Sequence, residues 1–538
     1  MIQGVPHESR TAGLPSLDQT LDELDALEKK YDEGQRIAQT RRALDINETI
    51  ALNKKVVQAY YRELAEKKLF VIIYGTGEMP WALPLHLPPY LIDLISASAR
   101  VLLALMRKQL KSAGPDYLIR RMPEGWLTAE MAAILYRYYL TCEPDLAFDV
   151  LVHGVNSPRG TTFEAFRHAG DHLHAKILEA QSVDTYYGWL RECIRSARRT
   201  GAFDDATFTT VTSRNRPLTD DELDQQVRAT YIHGVEDQRD RILFMEIDPR
   251  NQPSFQNLDL LSAFLSEGGS AGRPLILDPQ DLFLREGRLH YRWRGKSGPI
   301  DKVVSRIVDA DLKKYIRKMT AEGRFEVIER LREMYALPSL WPDLSKHLAG
   351  FYLIDKSSLT ELSQLDPVAM APKTWIVTED LLKLYRRDPG LLKNLAIKPL
   401  HGMSSKGVVV TPGLAALKKL CLEETMLAQE LLRATPVMPN INPELEDPDT
   451  RAGICCEIRL QLHAGSPAVP ESPQRARCIL ALSRSHYTSK DPGRKIKDDP
   501  KGRGWFSNMG AIMMVKNELG IIGKRDAGLG MSPVCWAH

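Results

Sequence analysis

Lys398 closes a short apolar run, "NLAIKPL", and is followed by "HGMSSKG" (401–407) and then by a valine-rich stretch. A lysine held between two strand-like segments must be paired or neutralised, because an unpaired cation in apolar surroundings is costly. The partner its neighbours suggest is an anion closed under a small-residue flap. Gly402 and Gly407 permit unusual backbone angles. Ser404, Ser405 and backbone N–H groups can donate to phosphate oxygens, and Lys406 adds a second charge. The order is not that of a P-loop, since no GxxxxGK[ST] precedes a helix. Taken alone, the stretch equally fits a surface hairpin with a solvated lysine.

Other residues of the same chemistry stand at intervals on either side. Lys356 lies in "GFYLIDKSSLTEL", Gln429 and Glu430 in "TMLAQELL", Glu457 and Arg459 in "CEIRLQL", Arg484 in "LSRSH" and Asn508 in "FSNMGA". Arginines on strands pair with carboxylates or hold an anionic intermediate. His168 and His172 are four apart and would share a face if "FRHAGDHLHAK" is helical. Gly170 weakens that helix and no H-E-x-x-H follows, so packed or solvated histidines are expected there rather than a metal site. The seven cysteines, Cys142, Cys193, Cys421, Cys455, Cys456, Cys478 and Cys535, are scattered with no CxxC pair, as in a reduced, cytoplasmic protein. Cys455 and Cys456 read as strand residues.

These groups need a scaffold of some size. A chain of 538 residues is more than one core usually organises, so two or three domains are expected. Its 72 Lys+Arg against 69 Asp+Glu leave a net charge of +3, which gives no general case for nucleic acid or membrane as a partner. The N-terminal segment lacks the apolar core of a signal peptide. "YLIDLISASARVLLALM" (90–106) is interrupted by Asp93 and Arg100 and is expected to be a buried helix. Leu14, Leu17, Leu21, Leu24, Leu27 and Tyr31 recur at helical spacing within a helix-rich region, 1–140. A strand-rich segment, "DLAFDVLVHGVNSPRGTTFEAF", opens a second region (141–230), with helices following to about residue 200. Strand, helix and strand alternate in 231–350, as in a parallel α/β unit. From 351 to 538 the pattern is that of a mixed sheet with antiparallel pairs and short helices.

The ordered set Lys356, Lys398, the Gly/Ser flap, Gln429-Glu430 and Glu457-x-Arg459 resembles the ATP-grasp superfamily of carboxylate–amine ligases. "VNSPRG" with Asn156, standing far upstream, looks like the early E-x-N segment of the circularly permuted group that includes glutathionylspermidine synthetase. "RPLILDPQDLFLREGRLHY" through "VVSRI" resembles that group's segment before the first lysine, with Arg306 where an arginine is usual. The likeness spans roughly residues 140–530 and rests on the order of several weak motifs.

The resemblance implies an α/β (α+β) fold with a nucleotide cleft between two mixed sheets, preceded by the helix-rich region. It implies ATP held at its phosphates by Lys356 and Lys398, a flap of Ser404, Ser405 and Lys406, and Gln429 and Glu430 at the nucleotide, with Glu430 on the ribose. Arg306, Arg459 and Arg484 become candidate catalytic cations. Mg²⁺ takes hard oxygen ligands, for which Asn156, Asp149, Glu457 and Asn508 are the candidates. Gly154 stands where a Glu is expected. The activity implied is ATP-dependent amide-bond formation through an acyl phosphate, with small-molecule or peptide carboxylate and amine substrates and possible self-association. The alternative is a non-catalytic nucleotide- or peptide-binding protein with an incomplete metal site.

Overall fold

The computed structural model describes residues 15–73, 77–80, 83–121, 126, 128–141, 146–158, 161–181, 187–202, 219–232, 241–252, 254–267, 272–307, 309–340, 356–365, 370–400, 408–410, 413–421, 426–432, 434–439, 453–463, 477–487 and 530–536. The N-terminal periodicity resolves into three helices, α1 (Leu17–Lys30), α2 (Glu33–Leu52) and α3 (Lys54–Glu66). Breaks fall where side chains cap the next helix. Ser16 with Gln19 and Asp32 with Gln35 form reciprocal capping boxes, and Asn53 caps α3. Strands β1 (Phe70–Ile73) and β2 (Gly77–Pro80) form a hairpin, and β3 (Leu85–Leu87) leads into α4 (Pro89–Ala113).

Helix α4 is long and apolar enough to cross a membrane, yet 83% of its most apolar window is buried within the protein. It is the core helix the sequence predicts. Proline at its first turn suits the start, and Gly114 at φ +70° ends it. Helix α1 lies on it through the Arg100–Glu23 pair and the Tyr31–Asp93 hydrogen bond. Short helices α5 (Asp116–Arg121) and α6 (Ala129–Thr141) follow.

Next come β4 (Leu146–Gly154), α7 (Phe163–His168), β5 (Leu173–Gln181), α8 (Tyr187–Arg199) and α9 (Asp220–Ile232). The expected helical run to residue 200 is therefore interrupted by a strand. Gly170 at φ +66° turns the chain after α7, so His168 ends a helix while His172 immediately precedes β5, and the two share no helical face.

The alternating region holds β6 (Ile242–Met245), α10 (Phe255–Ser266) and β7 (Leu275–Leu277), then β8 (Leu282–Arg285), β9 (Arg288–Trp293), β10 (Lys296–Pro299) and β11 (Lys302–Ser305). Strands β11, β6 and β7 pair in parallel in that order, as the pattern predicts. Inserted in it is an antiparallel meander, β8–β9–β10, turned by Glu286-Gly287 and Arg294-Gly295, all four at positive φ. Helices α11 (Asp309–Ala321), α12 (Phe325–Tyr335) and α13 (Ser358–Leu362) precede β12 (Thr374–Ile376), α14 (Glu379–Arg387), β13 (Leu395–Pro399), β14 (Val409–Val410), α15 (Leu414–Cys421) and β15 (Met426–Glu430). The last strands are β16 (Ile454–His463), β17 (Arg477–Tyr487) and β18 (Gly530–Trp536).

Two sheets carry most of the candidate residues. The larger has the order β3-β18-β17-β16-β4-β5, antiparallel except for the parallel β18–β3 pair. Phe148, Val150, Val152, Ile458 and Leu460 belong to the large core that also includes α4. The smaller sheet, β12-β15-β13-β14, is antiparallel throughout, a simpler pairing than the expected mixed sheet. It has its own core, in which Leu395, Ile397 and Ala428 pack with Leu381, Leu382 and Leu417 of α14 and α15. The fold is α+β, with the helix-rich N-terminal region supplying both a core helix and an edge strand.

Candidate functional site

The side chains that could do chemistry gather where the small sheet meets the β5 edge of the large one. On β13, Leu395 and Ile397 enter the small core, and strand alternation turns Lys398 to the opposite face. Lys398 is 8% exposed, and its ammonium donates to the Leu178 carbonyl at 2.7 Å and to Gln429 Oε1 at 3.0 Å. The Gln429 amide in turn donates to Thr374 Oγ1 at 3.2 Å. The lysine is thus fixed by a line of polar groups running across β13, β15 and β12.

Lys356 arrives from a different segment, in the turn that starts α13. Its ammonium, also buried, lies 3.5 Å from Glu179 and donates to the Pro399 carbonyl at 3.4 Å, one residue beyond Lys398. The two cations therefore meet at one place. Burial pushes the Lys398 ammonium down to about 8, and Lys356 presses it the same way, while Glu179 and Asp149 oppose the shift.

The local cause of this meeting is a β-bulge. Strand β5 pairs with β4 so that Glu179 faces Asp149 and Ile177 faces Val150, leaving Leu178 as the extra residue. Beside the bulge, the Ile177 N–H is taken by the Met370 carbonyl, and the Leu178 carbonyl accepts from Lys398. The register shift also sets Glu179 beside Asp149. The sequence reading expects helix through this stretch and so does not single out Glu179, which stands on β5. The alternation of Leu173, Ala175 and Ile177 was the available signal.

Next to Glu179, Asp149 is 2% exposed and is gripped by Arg459 at 2.7 and 2.8 Å, directly across the β4–β16 ladder. Glu457 is buried opposite Leu151 on β4 and opposite Arg484 on β17. Glu430 ends β15 opposite Leu395, and its charge acts on Lys176 and His153. His153 and His174 face each other on paired strands with rings 5.6 Å apart. Burial, then the charges of His153, Lys176, His172 and Arg36, push His174 down to about 3. Cys455 and Cys456 are buried strand residues, as expected.

Other expected residues lie elsewhere. Arg306 follows β11 and pairs with Glu246 at 3.2 Å, in the parallel three-stranded sheet. Asn156 is exposed past the end of β4, where its backbone N–H donates to Asp171 at 3.0 Å. Ser404, Ser405, Lys406 and Asn508 lie outside the described residues.

Among the described candidates for magnesium, Asp149 and Glu457 lie on the paired strands β4 and β16, while Asn156 lies past the end of β4. A Cβ on Gly154 would lie 2.2 Å from Ser157 Oγ, 2.6 Å from Phe166 and 2.9 Å from Asp171, so any side chain there must displace these neighbours. Both oxygens of Asp149 are engaged by Arg459. Among the described residues, no group of three or more His, Cys, Asp or Glu side chains is arranged to hold a metal ion. The described donor set does not fit a divalent cation, and no chemical step is assigned to one.

No family model matches the sequence, and no curated protein matches it. Among solved structures, the fold is similar to a glutathione synthetase-like effector from Globodera pallida in its apoform. The TM-score is 0.43 at 13% identity, over 82% of this chain and 96% of that one.

Proposed function

We propose that the two-lysine site beside β5 binds the phosphates of ATP and that the chain is an ATP-grasp-type carboxylate–amine ligase. One observation carries the reading: Lys356 and Lys398, from separate segments, bring two buried ammonium groups to one spot between two sheets. In such a reaction an oxygen of the acid substrate attacks the γ-phosphorus as the bond to ADP breaks. The amine nitrogen then attacks the acyl carbon, loses its proton, and inorganic phosphate leaves. The protein's part is positioning and charge rather than covalent chemistry. Lys356 and Lys398 would lie along oxygens that gain charge as ADP departs, and Gln429 would hold Lys398 in place. Burial makes those charges count for more and keeps water from the acyl phosphate. By the same resemblance, the acid and amine would be small molecules or peptides.

A second reading, a non-catalytic nucleotide- or peptide-binding protein, is favoured by Gly154, which supplies no side-chain oxygen and is closely packed by Ser157, Phe166 and Asp171. ADP and phosphate release, measured across a panel of acids and amines, separates the two. Amine-dependent release that falls by at least ~10²-fold in Lys398→Met supports the ligase. ATP binding without turnover across the panel supports the binding protein.

A further inference from the structure

We propose that the outer face of the β8–β9–β10 meander binds single-stranded nucleic acid, with bases stacked over its arginine-covered rings and phosphates on the arginine edges. This surface is independent of the two-lysine site, and it departs from the expectation drawn from the net charge. The chain's total of +3 conceals an uneven distribution. Within residues 285–296, Arg285, Arg288, Arg292, Arg294 and Lys296 stand against Glu286 alone, five cations to one anion, a local +4 that leaves the rest of the chain at −1.

Strand pairing sets the face. Phe283 stands opposite His290 and Arg285 opposite Arg288, and alternation along β9 puts Arg292 on the same side. Leu282, Leu289 and Tyr291, on the other side, are buried in the main core. Phe283 is half-buried and belongs to neither described core. Its ring centroid lies 5.5 Å from that of His290, with the planes 33° apart, and the Arg292 guanidinium lies over it at 5.2 Å. Trp293 repeats the arrangement, with the guanidinium groups of Arg250 and Arg294 over its ring at 5.7 and 5.5 Å. A guanidinium held over a ring keeps N–H groups for a phosphate and offers its own plane to a base. Arg285 and Arg288 are matched by Glu286 and Asp301. Among the described residues, no carboxylate pairs with Arg292, Arg294 or Lys296, all of them exposed. An acidic peptide would answer the charge but brings no flat group to the rings. A single strand brings both phosphates and open base faces.

The test is fluorescence anisotropy of a labelled oligouridylate with the full chain in EDTA, across a range of salt, with oligoglutamate of matched charge as competitor. Phe283→Leu is expected to weaken binding about tenfold, the scale of one lost base stack. Arg292→Gln is expected to weaken it too, and to flatten the log–log salt dependence by about 0.7. Lys398→Met is expected to bind as the unaltered chain does, which separates this surface from the two-lysine site. Loss of binding in Lys398→Met with parental binding in the meander variants places the strand at the other site and overturns the proposal. Unchanged affinity in Phe283→Leu, or displacement by oligoglutamate, makes the face a charge-only surface and overturns it as well, as does no binding by the unaltered chain. Should Phe283→Leu fail to fold by circular dichroism, the exposed Arg292→Gln and Arg294→Gln changes are read together. Weakened binding that oligoglutamate does not displace supports the proposal, and any other result overturns it.

Discussion

Arg459 and Asp149 stand directly opposite one another on β16 and β4, joined by two hydrogen bonds of 2.7 and 2.8 Å. Such a fork-to-carboxylate pair in a buried place is costly to break from one side only, because the remaining charge keeps its desolvation cost without its partner. Arg459→Met should therefore lower stability by about 3–5 kcal/mol in urea unfolding. Adding Asp149→Leu should return much of that loss. A single variant as stable as the parent would mean that Asp149 is neutralised by something else.

Lys398 sets a pH dependence. Its folded-state value is depressed from 10.5 to about 8, so the buried cation opposes folding fully below pH 8, and that penalty is relieved as pH rises toward 10.5. Anion binding runs the other way, since the charge that attracts phosphate disappears above pH 8. Tripolyphosphate affinity, followed by calorimetry from pH 7 to 9.5, should fall across that window. In Lys398→Met the remaining affinity should lack the step.

At Gly154 the prediction is steric. An alanine there must displace Ser157, Phe166 or Asp171, and overpacking of this kind costs about 1–3 kcal/mol. Gly154→Ala should lower the melting temperature, and Gly154→Glu should lower it further without conferring magnesium binding. A Glu variant that folds as the parent does and binds the metal would refute the packing argument.

The histidine pair predicts acid sensitivity. His174 stays neutral in the fold down to about pH 3, whereas the unfolded chain takes up its proton near 6.5, so stability contributed by neutral His174 is lost progressively as pH falls from 6.5 toward 3. His153 is shifted in the same direction by burial. His174→Gln should flatten the slope of unfolding free energy against pH in that range. An unchanged slope would place the acid response elsewhere.

Much of the scaffold is legible in the chain because it obeys local rules. The parallel β6–β7–β11 unit follows from apolar runs alternating with a helix, and α4 from an apolar stretch broken by charges that pair at its surface. Lys398 is legible only in part, since an apolar strand ending in a lysine fits a solvated hairpin as well as the buried position it takes. What escaped was governed by single backbone events. Gly170 converts an apparent histidine-bearing helix into a helix followed by a strand. The extra residue at Leu178 alters which side chains stand opposite one another, so a reading by strict alternation would not put Glu179 beside Asp149. The meander of β8, β9 and β10 went unread although Glu286-Gly287 and Arg294-Gly295 mark its turns.

The parallel pairing of β3 with β18 joins residues more than four hundred positions apart, with Val534 opposite Leu85. Closure of so long a loop adds only slowly to the entropic cost, but it dictates timing. Among the described residues, β18 alone pairs with β3 and with the side of β17 away from β16, so these ladders form only once the stretch 530–536 has left the ribosome. A message truncated just upstream would yield a product with two sticky strand margins, prone to clump and dependent on chaperones.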